Sequence, residues 1–144
     1  MKIKVILALV SLTLMALMIG VYAALTLWSV NVSVNVASPD IGVYWDQSCT
    51  NPVSTIDFGS YNKGDTASKT LYIKNKGSTT ITLLYTSTLS SVSGGKIVDE
   101  WTYSGGSVNG VSLAPGQVIS STYTIEISST CPAQTFNWVI SLGI

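Results

Sequence analysis

The sequence predicts an all-β protein built as an antiparallel β-sandwich of seven or eight short strands. No ten-residue window after residue 28 has the periodicity of a helix, whereas short runs alternate between apolar and polar residues. Turn-forming residues separate these runs at intervals of 8–15 residues. This spacing is typical of two packed antiparallel sheets, and a chain of 144 residues fits one domain.

The first predicted strand, Trp28–Val36, has the clearest pattern in the chain. Its apolar positions are Trp28, Val30, Val32, Val34 and Val36. Ser or Asn occupies every position between them, so the strict period of two places five bulky side chains on one face. Pro39 and Asp40 then end the strand.

Seven further strands are predicted, each bounded by turn residues. Gly59 closes the third strand of the chain, the turn at 75–78 closes the fourth, and Pro115-Gly116 precedes the seventh. The seven predicted strands are Ile41–Trp45, Val53–Phe58, Ser68–Lys74, Thr79–Thr86, Ile97–Tyr103, Val118–Ser128 and Gln134–Leu142. They already complete a sandwich over residues 41–144, so Trp28–Val36 is expected to be an additional strand.

The N-terminal segment has the three-part pattern of a secretory signal peptide. Two lysines precede a long apolar run, and the predicted cleavage site lies between Ala23 and Ala24. Cleavage there would remove residues 1–23. Alternatively, residues 5–27 are long enough to stay as a transmembrane helix. Because the lysines precede the apolar run, both alternatives place the rest of the chain outside the cytoplasm.

The two cysteines, Cys49 and Cys131, agree with export. An even pair in an extracytoplasmic chain predicts one disulfide. This bond would close a loop of about 83 residues, for which the chain-entropy description gives about 4.5 kcal/mol. A two-cysteine metal site is a weaker alternative, since the sequence has no His to complete it.

The charged composition excludes several classes of function. Charged residues make up only 10% of the chain, the formal net charge is zero, and neither Arg nor His occurs. The commonest general base, the commonest metal ligand and the bidentate phosphate clamp are therefore absent. Too few lysines are left for a nucleic-acid surface. We predict no enzyme activity, no catalytic, cofactor or metal site, and no nucleic-acid partner.

The remaining candidates for chemistry have simpler structural interpretations. Asp99-Glu100 is an adjacent acidic pair, but neighbours on a strand point to opposite faces, so a solvated strand end is preferred. Asp40, Asp46 and Asp57 could supply oxygens to calcium, although no calcium-binding spacing supports this. Packing in the core or an interface is expected for the tryptophans of the predicted strands, Trp45, Trp101 and Trp138.

Two stretches resemble the turn-and-strand pattern of immunoglobulin-like extracellular modules. The first is Ile56-Asp57-Phe58-Gly59, followed by Gly64 and by Thr-Leu-Tyr-Ile-Lys-Asn-Lys-Gly at 70–77, and the second is Leu-Ala-Pro-Gly-Gln at 113–117. With the signal segment and the alternating strand, residues 24–144 are similar to the archaeal bundling-pilus and bacterial TasA/camelysin biofilm-fibre subunits. The resemblance implies an immunoglobulin-like sandwich and assembly by donor-strand complementation.

The expected function is a structural subunit of an extracellular filament at the cell surface. A donor strand within residues 24–37 would complete the sandwich, residues 38–144, of the next copy, which gives a head-to-tail homopolymer open to lateral bundling. Burying five apolar side chains favours this by about 7–15 kcal/mol before association costs. Two alternatives stay open: the strand pairs within its own domain, or the chain is a membrane-anchored accessory module of a cell-envelope complex, with residues 5–27 kept as a helix.

One modification motif lies within the candidate donor strand. Asn31-Val32-Ser33 is an N-glycosylation acceptor triplet. A glycan there is compatible with strand insertion only if Asn31 faces outward. Chance occurrence of the triplet is the preferred interpretation.

Overall fold

The computed structural model describes residues 28–36, 38, 40–89, 93–132 and 134–144. The predicted signal peptide, the cleavage site at Ala23 and Ala24 and the alternative membrane helix lie outside these residues. Within the described ranges, no helical segment combines the length and hydropathy that crossing a bilayer requires.

The described part of the chain is all-β, as the sequence predicts. Its strands in chain order are β1 (Trp28–Val36), β2 (Ile41–Tyr44), β3 (Thr55–Tyr61), β4 (Thr66–Asn75), β5 (Ile81–Thr82), β6 (Leu84–Ser87), β7 (Ile97–Tyr103), β8 (Gly106–Ser107), β9 (Ser112–Leu113), β10 (Val118–Ile127) and β11 (Phe136–Gly143). The bounds of β1 and β7 coincide with the predicted ones, because the alternating pattern of each is local to the strand.

The strands form two main sheets and a small third one. Sheet I has the order β3-β1-β11-β6, sheet II has the order β2-β4-β10-β7-β8, and β5 pairs with β9. Apolar side chains from both main sheets form one buried cluster. This arrangement is consistent with a β-sandwich.

Alternating side chains build the core between the two sheets. On β10, Tyr123, Ile125 and Ile127 are buried, while Thr122 and Glu126 lie on the outer face. The inward residues of β11 follow the same period and are Phe136, Trp138, Ile140 and Leu142. The period of two read from the sequence therefore assigns inner and outer faces correctly on these strands.

The predicted strand Thr79–Thr86 is divided in the structure. Ile81–Thr82 pairs with β9, whereas Leu84–Ser87 pairs with β11 at the edge of sheet I. Leu83 separates the two pieces. Its side chain is buried, and its N–H donates to the carbonyl of Val111 at 2.9 Å. The chain changes partners at a buried apolar residue, which a continuous pattern of strand-forming residues does not reveal.

Candidate functional site

The candidate assembly element, β1, is an inner strand of sheet I. It lies between β3, to which it is antiparallel, and β11, to which it is parallel. The β11 register places Val30 beside Phe136 and Val32 beside Trp138. Main-chain groups on both edges of β1 therefore have strand partners within the same chain.

The apolar face of β1 points into the core of its own molecule. Val30 and Val32 are fully buried, and Val34 and Val36 are half-buried against the same cluster. From the sequence, β1 is expected to be additional to a sandwich made by residues 41–144. The structure corrects this expectation: β1 is an integral strand of sheet I, and Val30 and Val32 are buried in the core of its own molecule.

A β-bulge sets the register between β1 and β3. Val30 pairs with Gly59 and Asn31 pairs with Asp57, so Phe58 is an extra residue on β3. Gly59 has φ 77°, a left-handed conformation that glycine adopts without strain. Asp57 Oδ1 accepts a 2.7 Å hydrogen bond from the Gly59 N–H. This bulge fixes which β1 residue faces each position of β3.

Four residues connect β1 in sheet I with β2 in sheet II. Within this short connection Ser38 is buried, and its carbonyl accepts a 3.2 Å hydrogen bond from the Ile41 N–H. The Asp40 carbonyl accepts a 2.6 Å bond from the Lys76 N–H. Pro39 also lies in this segment. We refer to these four residues, 37–40, which join sheet I to sheet II, as the hinge between β1 and β2.

A polar network joins the two sheets beneath β11. Trp138 Nε1 donates to the Tyr123 hydroxyl at 3.0 Å, and the Tyr123 hydroxyl donates to Asp99 Oδ2 at 2.7 Å. The Tyr85 hydroxyl donates to the same oxygen at 2.5 Å. Burial, together with the Asp99 carboxylate, raises the pKa of both tyrosines well above the ordinary range. The four residues form a polar clamp between sheets I and II.

Asp99 is the residue of this clamp that the sequence analysis assigned to a solvated strand end. The structure corrects that assignment: Asp99 lies within β7, half-buried and facing the core, whereas Glu100 is exposed on the other face. The expected alternation between these two neighbours is thus present. Ile97 and Trp101 share the period of Asp99 and are buried, which is the sequence signal that could have identified its inward orientation.

The cysteines predicted to form a disulfide are both free thiols in the structure. Cys49 is half-buried in the β2–β3 connection, and its Sγ lies 3.6 Å from the carbonyl oxygen of Gln47. Cys131 is fully buried in the connection after β10, and burial raises the pKa of its thiol. The structure therefore differs from the predicted disulfide.

Two of the aspartates considered for calcium, Asp46 and Asp57, accept hydrogen bonds from backbone N–H groups close to them in sequence. Asp46 accepts hydrogen bonds from the backbone N–H groups of Thr50, at 3.0 and 3.2 Å, and Asn51, at 2.7 Å. Hydrogen bonds from Ser48, Thr50 and Asn51 lower the pKa of Asp46 well below its usual range. Among the described residues, no group of three acidic, Cys or His side chains is placed to hold a metal ion.

The glycosylation triplet lies on sheet I with Asn31 on the outer face, whereas the tryptophans of the predicted strands lie in or against the core. Asn31 is half-buried on the outer face of sheet I, where its Nδ2 donates to Ser29 Oγ at 3.4 Å. Trp101 and Trp138 are buried and Trp45 is partly buried, as expected for packing.

No protein-family model matches this chain, and no curated protein matches it either.

Proposed function

We propose that this protein is an exported structural subunit, without enzyme activity, that forms an extracellular filament by exchanging β1 between copies. In this proposal the sandwich is immunoglobulin-like, and β1 of each copy occupies the position between β3 and β11 of the next copy. The observation that carries the proposal is the position of β1: a strand on the N-terminal side of the described chain lies inside a sheet and is joined to the rest by four residues.

Exchange preserves the contacts that β1 makes within its own chain. In a neighbouring copy, Val30 and Val32 would again lie beside Phe136 and Trp138, and the bulge at Gly59 would again set the register. The two fully buried valines contribute about 3–6 kcal/mol gross. Because the same contacts form within one chain or between chains, the difference in free energy between the two states lies in the hinge and in association entropy.

The hinge between β1 and β2 favours exchange. A connection of four residues that crosses from one sheet to the other has few conformations available while β1 is paired within its own chain. Short hinges of this kind are associated with strand swapping. If the hinge extends, the strand reaches a second copy, and a head-to-tail contact that does not close gives a filament.

The resemblance and the composition support the same proposal. The segments 56–59, 70–77 and 113–117 resemble immunoglobulin-like extracellular modules, and residues 24–144 as a whole resemble secreted fibre subunits. The three segments lie in β3, in β4 and the turn after it, and directly before β10. A formal net charge of zero reduces electrostatic repulsion between packed copies.

A disulfide across β1 and β3 tests the proposal. Ser33 and Thr55 are directly opposed and exposed, and opposed residues of antiparallel strands have a separation that a disulfide can span. We would introduce Ser33→Cys and Thr55→Cys together, in a chain that also carries Cys49→Ser and Cys131→Ala. Oxidation after filament formation is expected to give a ladder of covalent multimers on a non-reducing gel.

The order of the steps provides the control. Oxidation before assembly should lock β1 to β3 of its own chain and prevent filament growth. Reduction of the disulfide should then restore filament growth. A chain pairing Ser33→Cys with Ser68→Cys, which lies on the outer face of sheet II, should give no ladder. Filaments that release only monomers after oxidation would show that β1 stays in its own chain, and the protein would then be a self-contained sandwich.

A further inference from the structure

The outer face of sheet II has a central line of hydroxyl groups, which we call the threonine row. It consists of Thr102 on β7, Thr122 on β10 and Thr70 on β4, which are paired across the three strands. Thr70 is exposed, and Thr102 and Thr122 are half-buried. The threonine row divides this face into two halves of similar length.

Opposite charges lie on the two sides of the threonine row. Glu126 is four residues from Thr122 on β10, and Lys74 is four residues from Thr70 on β4. Because β4 and β10 are antiparallel, these equal separations run in opposite directions. At about 3.3 Å per residue, each charge lies about 13 Å from the row. Glu100, on β7, lies on the same side as Glu126. Lys96 lines one cleft with Glu126 and donates to Thr130 Oγ1 at 3.1 Å, so this side carries two carboxylates and one ammonium group.

We infer that this face binds a second copy of the chain, with a two-fold axis along the threonine row. Such an axis reverses position along the strands and keeps position across them. It therefore places Glu126 of one copy over the end of the sheet that carries Lys74 in the other copy, and the same pair forms twice. A self-complementary patch of this kind is what a two-fold interface requires.

The charges also select this axis over the other two-fold arrangement. An axis parallel to the strands would bring the two acidic sides together, so that Glu126 and Glu100 of both copies, four carboxylates in all, would face only the two ammonium groups of Lys96. Like charges opposed in this way are unfavourable. A two-fold axis along the threonine row is therefore the arrangement that pairs Glu126 with Lys74.

The size of the face sets the expected strength of the dimer. Three strands at about 4.8 Å spacing, each about 27 Å long, cover about 400 Å² per copy. Stable complexes bury about 800 Å² per partner. The dimer is therefore weak and reversible, and its association is sensitive to salt because it depends on exposed charges.

Reciprocal charge reversal tests this inference by sedimentation equilibrium. The protein would carry the oxidised Ser33→Cys and Thr55→Cys lock, with Cys49→Ser and Cys131→Ala, so that exchange of β1 cannot produce a dimer. Glu126→Lys alone and Lys74→Glu alone should each weaken association about tenfold or more. The two reversals together should restore association, since the pair forms again with opposite polarity.

Glu100→Lys is the matched control, because it makes the same change in net charge on the same face. The row opposite Glu100 across the axis contains Ser120 and Tyr72, which carry no charge, so this variant should bind more strongly than Glu126→Lys. A locked protein that stays monomeric at every concentration would overturn the inference, as would a combined variant that does not regain association. Either result leaves the filament proposal standing, since that proposal concerns β1.

Discussion

At the scale of single residues, the least expected feature is the carboxylate that holds two tyrosines. Asp99 Oδ2 accepts hydrogen bonds from both Tyr85 and Tyr123, at 2.5 and 2.7 Å. Hydrogen bonds to a charged acceptor are stronger than neutral ones, and a partly desolvated carboxylate is costly without such partners. Since Tyr85 belongs to sheet I and Asp99 to sheet II, this contact also fixes how the two sheets are placed against each other.

Alkaline pH should weaken the fold through this clamp. The pKa values of Tyr85 and Tyr123 are raised above the ordinary value of 10.0, so the folded state keeps both protons after the unfolded state has lost them. Their contribution to the free energy of unfolding is complete below about pH 10 and decreases as the pH rises further. For two such groups, the free energy of unfolding then falls by up to about 2.7 kcal/mol for each unit of pH.

Urea unfolding at several pH values above and below 10 measures this slope. Tyr85→Phe should reduce it by about half, because one of the two titrating hydroxyls is removed. Tyr72→Phe, which removes a tyrosine hydroxyl on the outer face of sheet II and outside the clamp, is the control. An equal slope in the wild-type and Tyr85→Phe proteins would contradict the role of the clamp.

At the scale of elements, β1 is the strand on which both halves of sheet I depend. It carries the pairing to β3 on one edge and to β11 on the other. Removing it would separate these two strands and expose the apolar side chains that Val30 and Val32 cover. A strand of nine residues on the N-terminal side of the described chain thus determines whether a four-stranded sheet exists at all.

The two faces of β1 should respond differently to truncation. Val32→Ala removes buried methyl groups at a site without solvent exposure, and we expect the free energy of unfolding to fall by about 2 kcal/mol. Ser33→Ala changes the adjacent, exposed residue and should alter it by less than about 0.5 kcal/mol. Denaturant titration of both variants provides the comparison. Equal losses would mean that β1 does not insert its valine face into the core in solution.

The bounds and the facing of β1 were predictable, but its partners were not. The alternation of Trp28–Val36 is a property of consecutive residues, and it defined the strand and its apolar face correctly. The neighbours of β1 in the sheet depend on its pairing with Phe136–Gly143, about one hundred residues away. No local sequence pattern indicates a pairing between residues so far apart. For Asp99, the inward orientation follows the local period of Ile97 and Trp101, but its tyrosine partners come from other strands and could not be predicted.

At the scale of the whole molecule, the two proposed kinds of association would use different surfaces. Exchange of β1 uses the interior of sheet I, whereas the threonine row lies on the outer face of sheet II. The two modes can therefore occur together without competing for the same residues. Strand exchange would extend the assembly in one direction, and face-to-face pairing would join copies sideways.

Deletion of residues 24–36 should abolish filament growth. Without β1, a subunit has no strand to donate, although its own position between β3 and β11 is open to accept one. Electron microscopy of the purified protein, with Ser33→Ala as the matched control, measures the outcome. The control should form filaments of normal length, and the deletion variant should give monomers or irregular aggregates, because its apolar face is uncovered. Normal filaments from the deletion variant would exclude assembly by β1.

The pairing of the first described strand with the last one has a consequence for timing. Val30 and Val32 reach their positions beside Phe136 and Trp138 only when β11, about one hundred residues further along the chain, is present, so sheet I is completed long after β1 has been synthesised. Contacts between residues so distant in sequence slow folding. During synthesis there is thus an interval in which β1 is present but not yet enclosed. In that interval, the local concentration of neighbouring subunits would decide between a closed monomer and a growing polymer.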